Sequence, residues 1–102
     1  MPNPNYIKGR KKEYKCIEIL KKEGYTYTTR TPGSKGVVDV IGSNRNGFRM
    51  IQVKYDSALW SKNRIKSEMK KLSSLELPTG TKVELWIFVR NEGLYKCAET
   101  IK

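Results

Sequence analysis

Asp39, Gln52 and Lys54 are the residues of this chain whose types and spacing could do chemistry together. Neighbours in a strand alternate faces, so the first and last residues of the triplet Gln52-Val53-Lys54 point to the same side. Residues 37–41 read as a short apolar strand in which Asp39 is the one acid, and a hairpin with a strand over residues 48–54 can bring Asp39 to that side too. One carboxylate, one amide oxygen and one ammonium then converge at a sheet edge, a donor set suited to a hard metal ion and a phosphate. An acid inside an apolar strand needs a reason, because an unpaired buried carboxylate is costly. The structural alternative is a salt bridge to one of the many lysines, which stabilises weakly when buried. Simple hairpin pairing sets Asp39 against the middle of the later strand, so assembling the site needs a bend or divergence after Met50.

Composition narrows the chemistry. The chain of 102 residues has no histidine and two cysteines, Cys16 and Cys97, which excludes the usual zinc sets and every histidine-based nucleophile or general base. Both cysteines are expected in the core as reduced, small hydrophobes. Carboxylates, lysines, hydroxyls and a hard metal ion remain. With 21 Lys and Arg against 10 Asp and Glu, the net charge is +11, and nucleic acid is the first partner to consider. An anionic membrane surface fits less well, since neither candidate helix joins a basic face to an aromatic anchor. No apolar run is long enough to span a bilayer, and the first fifteen residues lack the apolar core of a secretory signal. The expected location is the cytoplasm, that of the host for a viral chain.

The elements that must position these residues follow from periodicity. Residues 6–23 read as a helix with an apolar stripe of Ile7, Tyr14, Ile17 and Leu20, stopped by Gly24. Lys8, Arg10, Lys11, Lys12 and Lys15 crowd its other faces and leave Glu13 as an acid among bases, to be read most simply as a solvated carboxylate paired with a lysine. Residues 25–30 form a strand by their Thr and Tyr content, and Pro32, Gly33 and Gly36 break it into a loop. Residues 42–47 are a turn by composition, and Phe48, Met50 and Ile51 mark the following strand as largely buried. The Leu59-Trp60 pair is too apolar for loop filler and is expected to cap the core. Residues 62–75 read as a second helix with Ile65, Met69, Leu72 and Leu75 on one face. Residues 81–90 are the most apolar strand and should lie inside the sheet, with a last strand over residues 94–98 after a turn at 91–93. The order αβββαββ predicts a single α/β (α+β) domain over residues 1–102, a mixed sheet with a helix on each side.

A helix carrying Glu13, then the block Arg30-Thr31-Pro32-Gly33-Ser34-Lys35-Gly36-Val37-Val38-Asp39-Val40, then Gln52-Val53-Lys54, resembles the archaeal Holliday junction resolvases of the PD-(D/E)XK nuclease superfamily. The likeness covers most of the chain. It implies a restriction-endonuclease-like fold and a homodimeric, Mg²⁺-dependent endonuclease, with Mn²⁺ as substitute, that cuts branched double-stranded DNA at four-way junctions. By position it implies that Asp39 is the central metal-binding aspartate, Lys54 the catalytic lysine, Glu13 the helix-borne acid and Ser34 a loop serine near the scissile phosphate. Gln52 stands where the family most often has glutamate; it keeps a carbonyl oxygen for a hard cation and removes one negative charge.

Physical chemistry adds roles to that resemblance. Asp39, the Gln52 oxygen and the Val53 carbonyl suffice as protein ligands for Mg²⁺, which keeps several waters, and Glu13 can hold one of those waters. Lys54 can orient the attacking water or offset phosphate charge. The loop at residues 33–36 can offer backbone N–H groups and the Ser34 hydroxyl to phosphate. Lys8, Arg10, Lys11, Lys12, Arg30, Lys35, Lys62 and Lys66 are the expected nucleic-acid contacts. Two alternatives stand beside the junction nuclease: a DNA-binding protein on a nuclease fold that has lost catalysis, with Gln52 as the mark, and a nuclease for another DNA target.

Overall fold

A computed structural model describes the backbone of residues 4–31 and 37–101 and the side chains of residues 10–31 and 37–101. Its elements are α1 (Pro4–Lys22), β1 (Tyr27–Arg30), β2 (Val40–Asn44), β3 (Gly47–Asp56), α2 (Lys62–Ser73), β4 (Lys82–Val89) and β5 (Gly93–Thr100). They form the two helices and five-stranded mixed sheet expected from the sequence. The strands lie in chain order, β1-β2-β3-β4-β5, with every pairing antiparallel except β3 with β4. That one parallel pair is the one joined through a helix, α2, as a parallel crossover requires. β4 lies inside the sheet, between β3 and β5.

Alternation along the strands sorts side chains into two cores, one on each face. Val40, Ile51, Val53, Trp86 and Phe88 pack with Cys16 and Leu20 of α1. On the other face Val83, Leu85, Ile87 and Val89 pack with Met69 and Leu72 of α2, and Trp60 closes this core. The sheet is therefore the middle of three layers. α1 ends where Gly24, at φ 95°, permits the chain to turn back, and the Tyr25 N–H donates to the Leu20 carbonyl at 3.1 Å. Ser61 caps α2, its hydroxyl accepting the Arg64 N–H. Among the described residues, no helix is long and apolar enough to cross a membrane.

Several local expectations are corrected. Residues 37–39 are not strand: β2 starts at Val40 and runs through the expected turn to Asn44. The turn is tighter than composition suggests, because the Asn44 side chain accepts the Asn46 N–H at 2.8 Å and Gly47, at φ 137°, admits the reversal. In β3 the inward residue is Arg49, not Phe48, which is 46% exposed. Arg49 donates two hydrogen bonds to the Glu84 carboxylate, at 2.6 and 2.7 Å, and the Trp86 indole N–H donates to the same carboxylate at 3.0 Å. Both charged groups are almost fully buried, and the Glu84 bonds hold the Arg49 guanidinium in its charged form well above its ordinary pKa. Tyr14 leaves the predicted stripe; it is exposed, and Cys16 occupies the core instead. Cys16 and Cys97 are both free thiols, but Cys97 is half-buried rather than in the core. Trp60 is core, whereas Leu59 is exposed.

Candidate active site

β2 stops short while β3 continues to Asp56, and the candidate site is built at the fork this leaves. Val40, the first residue of β2, pairs with Ile51. One residue earlier the pattern shifts: the Asp39 N–H donates to the Ile51 carbonyl at 2.9 Å, out of step with that register. On the other side the Asp39 carbonyl accepts the Thr31 N–H at 2.9 Å, and the Thr31 hydroxyl donates to the Val38 carbonyl at 2.6 Å. The backbone of Asp39 is thus tied to both neighbouring strands. Its side chain then reaches along β3, where Oδ2 accepts the Val53 N–H at 2.8 Å. The bend that the hairpin needs falls at Asp39 rather than after Met50.

Because N–H and C=O of one residue in a strand face the same edge, the Val53 carbonyl also faces the fork. Gln52 and Lys54 project from the face that α2 covers, since their partners across the parallel pair, Leu85 and Ile87, belong to that core. Gln52 is 5% exposed, and its Oε1 is a buried acceptor with no hydrogen-bond partner among the described residues. Lys54 is half-buried. Burial raises the Asp39 carboxyl above its ordinary pKa, the Val53 N–H opposes this, the Glu13 charge adds to it, and the charges of Lys54 and Arg30 pull it back. Glu13, Lys54 and Arg30 therefore lie within electrostatic reach of Asp39.

Glu13 approaches from α1, on the opposite face from Gln52. Its partner is not a lysine: Oε1 accepts from Arg30 Nε at 3.0 Å, and both side chains are about four-fifths buried, at 19% and 23% exposure. Arg30 also donates to the Tyr14 hydroxyl at 3.4 Å, which draws the phenol pKa below its ordinary value. Arg30 was expected on DNA; in the free chain it holds Glu13. Ser34 and Lys35, the loop at residues 33–36 and the side chain of Lys8 lie outside the described residues. Arg10 and Lys11 are exposed on α1, while the Lys12 ammonium sits over the rings of Tyr55 and Phe88 at 5.2 and 5.5 Å. Lys62 and Lys66 are exposed on α2, across the sheet from the α1 bases, so the expected contacts do not form one continuous patch.

The donors fit a hard cation. Asp39 offers a partly desolvated carboxylate, Gln52 an oxygen without a partner, and Val53 a carbonyl on the same edge. Among the described residues, no group of three or more Asp, Glu, His and Cys side chains comes together, so the charge donated to such an ion is low.

Three features of the surroundings were not foreseen. The Thr31 clamp on residues 38 and 39 depends on a strand pairing that no local pattern announces. The Arg49–Glu84 pair, under the same sheet, joins residues far apart in sequence. At the end of β3, the Trp60 indole N–H donates to Asp56 Oδ2 at 2.9 Å, and the Arg64 guanidinium stacks 3.6 Å from the Trp60 ring, fixing where α2 begins relative to Lys54. For this last set Asp56, Trp60 and Arg64, spaced four apart, were a readable signal.

Two helices on the faces of a five-stranded mixed sheet define an α+β architecture. No family model and no curated protein sequence matches the chain. Among solved structures it is similar to Hjc of Archaeoglobus fulgidus, a Holliday junction resolvase from an archaeal hyperthermophile. The TM-score is 0.61 at 17% identity, over 87% of this chain and 70% of that one. That likeness establishes an Hjc-like fold.

Proposed function

We propose that this protein is a metal-dependent, structure-selective DNA endonuclease that cuts phosphodiester bonds at four-way junctions and acts as a homodimer. The observation that carries the reading is the fork itself: an Asp39 carboxylate fixed by the Val53 N–H beside a buried, unpartnered Gln52 oxygen, with Lys54 in electrostatic reach. The likeness of fold to a Holliday junction resolvase supports it, as does the net charge of +11.

Asp39, Gln52 and the Val53 carbonyl are the residues that would hold Mg²⁺, or Mn²⁺ in its place. Bound there, the ion would supply Lewis-acid stabilisation of phosphate charge and a more acidic water. Lys54 offsets charge on the phosphate and orients the attacking water. Glu13 would be free to accept a hydrogen bond from the attacking water once Arg30 is drawn from it to a DNA phosphate. Ser34 and Lys35 add contacts to the backbone of the scissile strand. Two symmetric cuts in a four-way junction call for two such centres, hence a two-fold dimer.

The test is a labelled four-way junction and a matching linear duplex, incubated with and without Mg²⁺. The junction should be cut selectively and only with metal, and Asp39→Ala should slow cutting by about a hundredfold or more. Equal cutting of both DNAs would sink the junction claim, and an unimpaired Asp39→Ala would sink the site. Gln52, buried and uncharged, favours one second reading: a nuclease-fold DNA-binding protein without catalysis. In that case the native chain binds junctions and cuts none, and Gln52→Glu restores metal-dependent cutting.

A further inference from the structure

Beside the candidate centre lies an open groove of about 650 Å³ between α1 and the turn that joins β4 to β5. Lys11, Lys12 and Lys15 form one wall; Phe88, Asn91 and Leu94 are among the residues of the other. No acid lines it. The carboxylates next to its lining residues in sequence are Glu13, which is held by Arg30 at 3.0 Å, Glu18, which makes an exposed contact with Lys15 at 3.8 Å, and Glu92 in the turn. The Lys12 ammonium is held over the faces of Tyr55 and Phe88. A lysine held on aromatic faces has lost part of its freedom before any ligand arrives, which lowers the entropic cost of using it.

Location gives the groove its occupant. Lys12 is next to Glu13 on α1, and its ring partner Tyr55 is next to Lys54 on β3. The parallel register sets Tyr55 beside Phe88, so the groove opens at the same end of the sheet as the candidate centre. From the fork beside β3 to the β4–β5 side is about two strand spacings, or about 10 Å. A chain of phosphates that enters the centre can therefore continue past Lys12 into a groove whose charged lining, among the described residues, is three lysines.

We propose that this groove binds the phosphodiester backbone of a DNA arm leading away from the cut site. The proposal rests on the nuclease reading and adds a contact surface to it. It favours DNA over an acidic polypeptide because of this continuity with the centre.

The experiment measures equilibrium binding of a fluorescent four-way junction in metal-free buffer across a salt series. Two double variants with the same change in net charge are compared: Lys11→Glu with Lys15→Glu in the groove, and Lys70→Glu with Lys71→Glu on α2 across the sheet. The groove variant should lose at least about tenfold in affinity and about two in the slope of log affinity against log salt, while the control stays within about threefold of native. Thermal melting confirms that both variants fold. Equal losses in the two variants overturn the groove and leave the nuclease reading standing. A native chain that binds no DNA overturns both. Groove-dependent capture of polyglutamate with junction affinity unchanged reassigns the surface to an acidic protein and overturns the proposal.

Discussion

Gln52 occupies an environment that suits neither of its ordinary roles: it is buried, and its carbonyl oxygen has no hydrogen-bond partner among the described residues. Such a group normally costs about 1–3 kcal/mol, so an ion that used the oxygen would recover that loss. A glutamate here would be worse off without metal and better off with it. Gln52→Glu should therefore lower the melting temperature in metal-free buffer by about 5 °C or more and gain more from added Mg²⁺ than the native chain does, as scanning calorimetry would show. The shared face of Gln52 and Lys54 was legible in the sequence, because it needs only the two-residue period of a strand. The Asp39 hydrogen bond to Val53 was not, because it depends on a one-residue shift between two strands. The identity of the Glu13 partner was hidden for a similar reason: among many lysines nearby in sequence, the observed partner is an arginine brought in by β1.

At the level of elements, β3 does two jobs with its two faces. One carries Gln52 and Lys54; the other carries Arg49, Ile51 and Val53 into the α1 core. Reading Phe48 as buried inverted this strand's first residues. Hydrophobicity favours Phe48 inward, and the inward place of Arg49 is intelligible only with Glu84, on a strand that follows α2. The ion pair makes a sharp prediction. Glu84→Gln leaves the buried Arg49 charge with only its longer contact to the half-exposed Glu23, at 3.5 Å, and should destabilise the chain by about 3 kcal/mol, whereas replacing Arg49 and Glu84 together by methionine should cost much less. Urea denaturation measures both. The helices were easier to read: the α2 face of Met69 and Leu72 is buried as its spacing suggested.

For the whole molecule, the layer order followed from two amphipathic helices and five strands, and the comparison with Hjc agrees with it. The distribution of charge was less accessible, since the lysines of α1 and those of α2 come to lie on opposite sides of the sheet only once the chain is folded. A net charge of +11 on a chain of 102 residues also opposes compaction. Raising NaCl from about 20 mM to about 300 mM screens that repulsion and should raise the melting temperature, while the same change weakens binding to DNA. Opposite salt responses of stability and affinity in one sample would separate the two effects.

The early end of β2 has a consequence of its own. The rung that would pair Val53 is supplied by a side chain, Asp39, instead of by backbone. A carboxylate in that position keeps further lone pairs free, which a main-chain carbonyl locked in a ladder does not offer in the same direction. The open edge thus originates in an omission: two more residues of β2 in register would complete the sheet and seal the Val53 carbonyl.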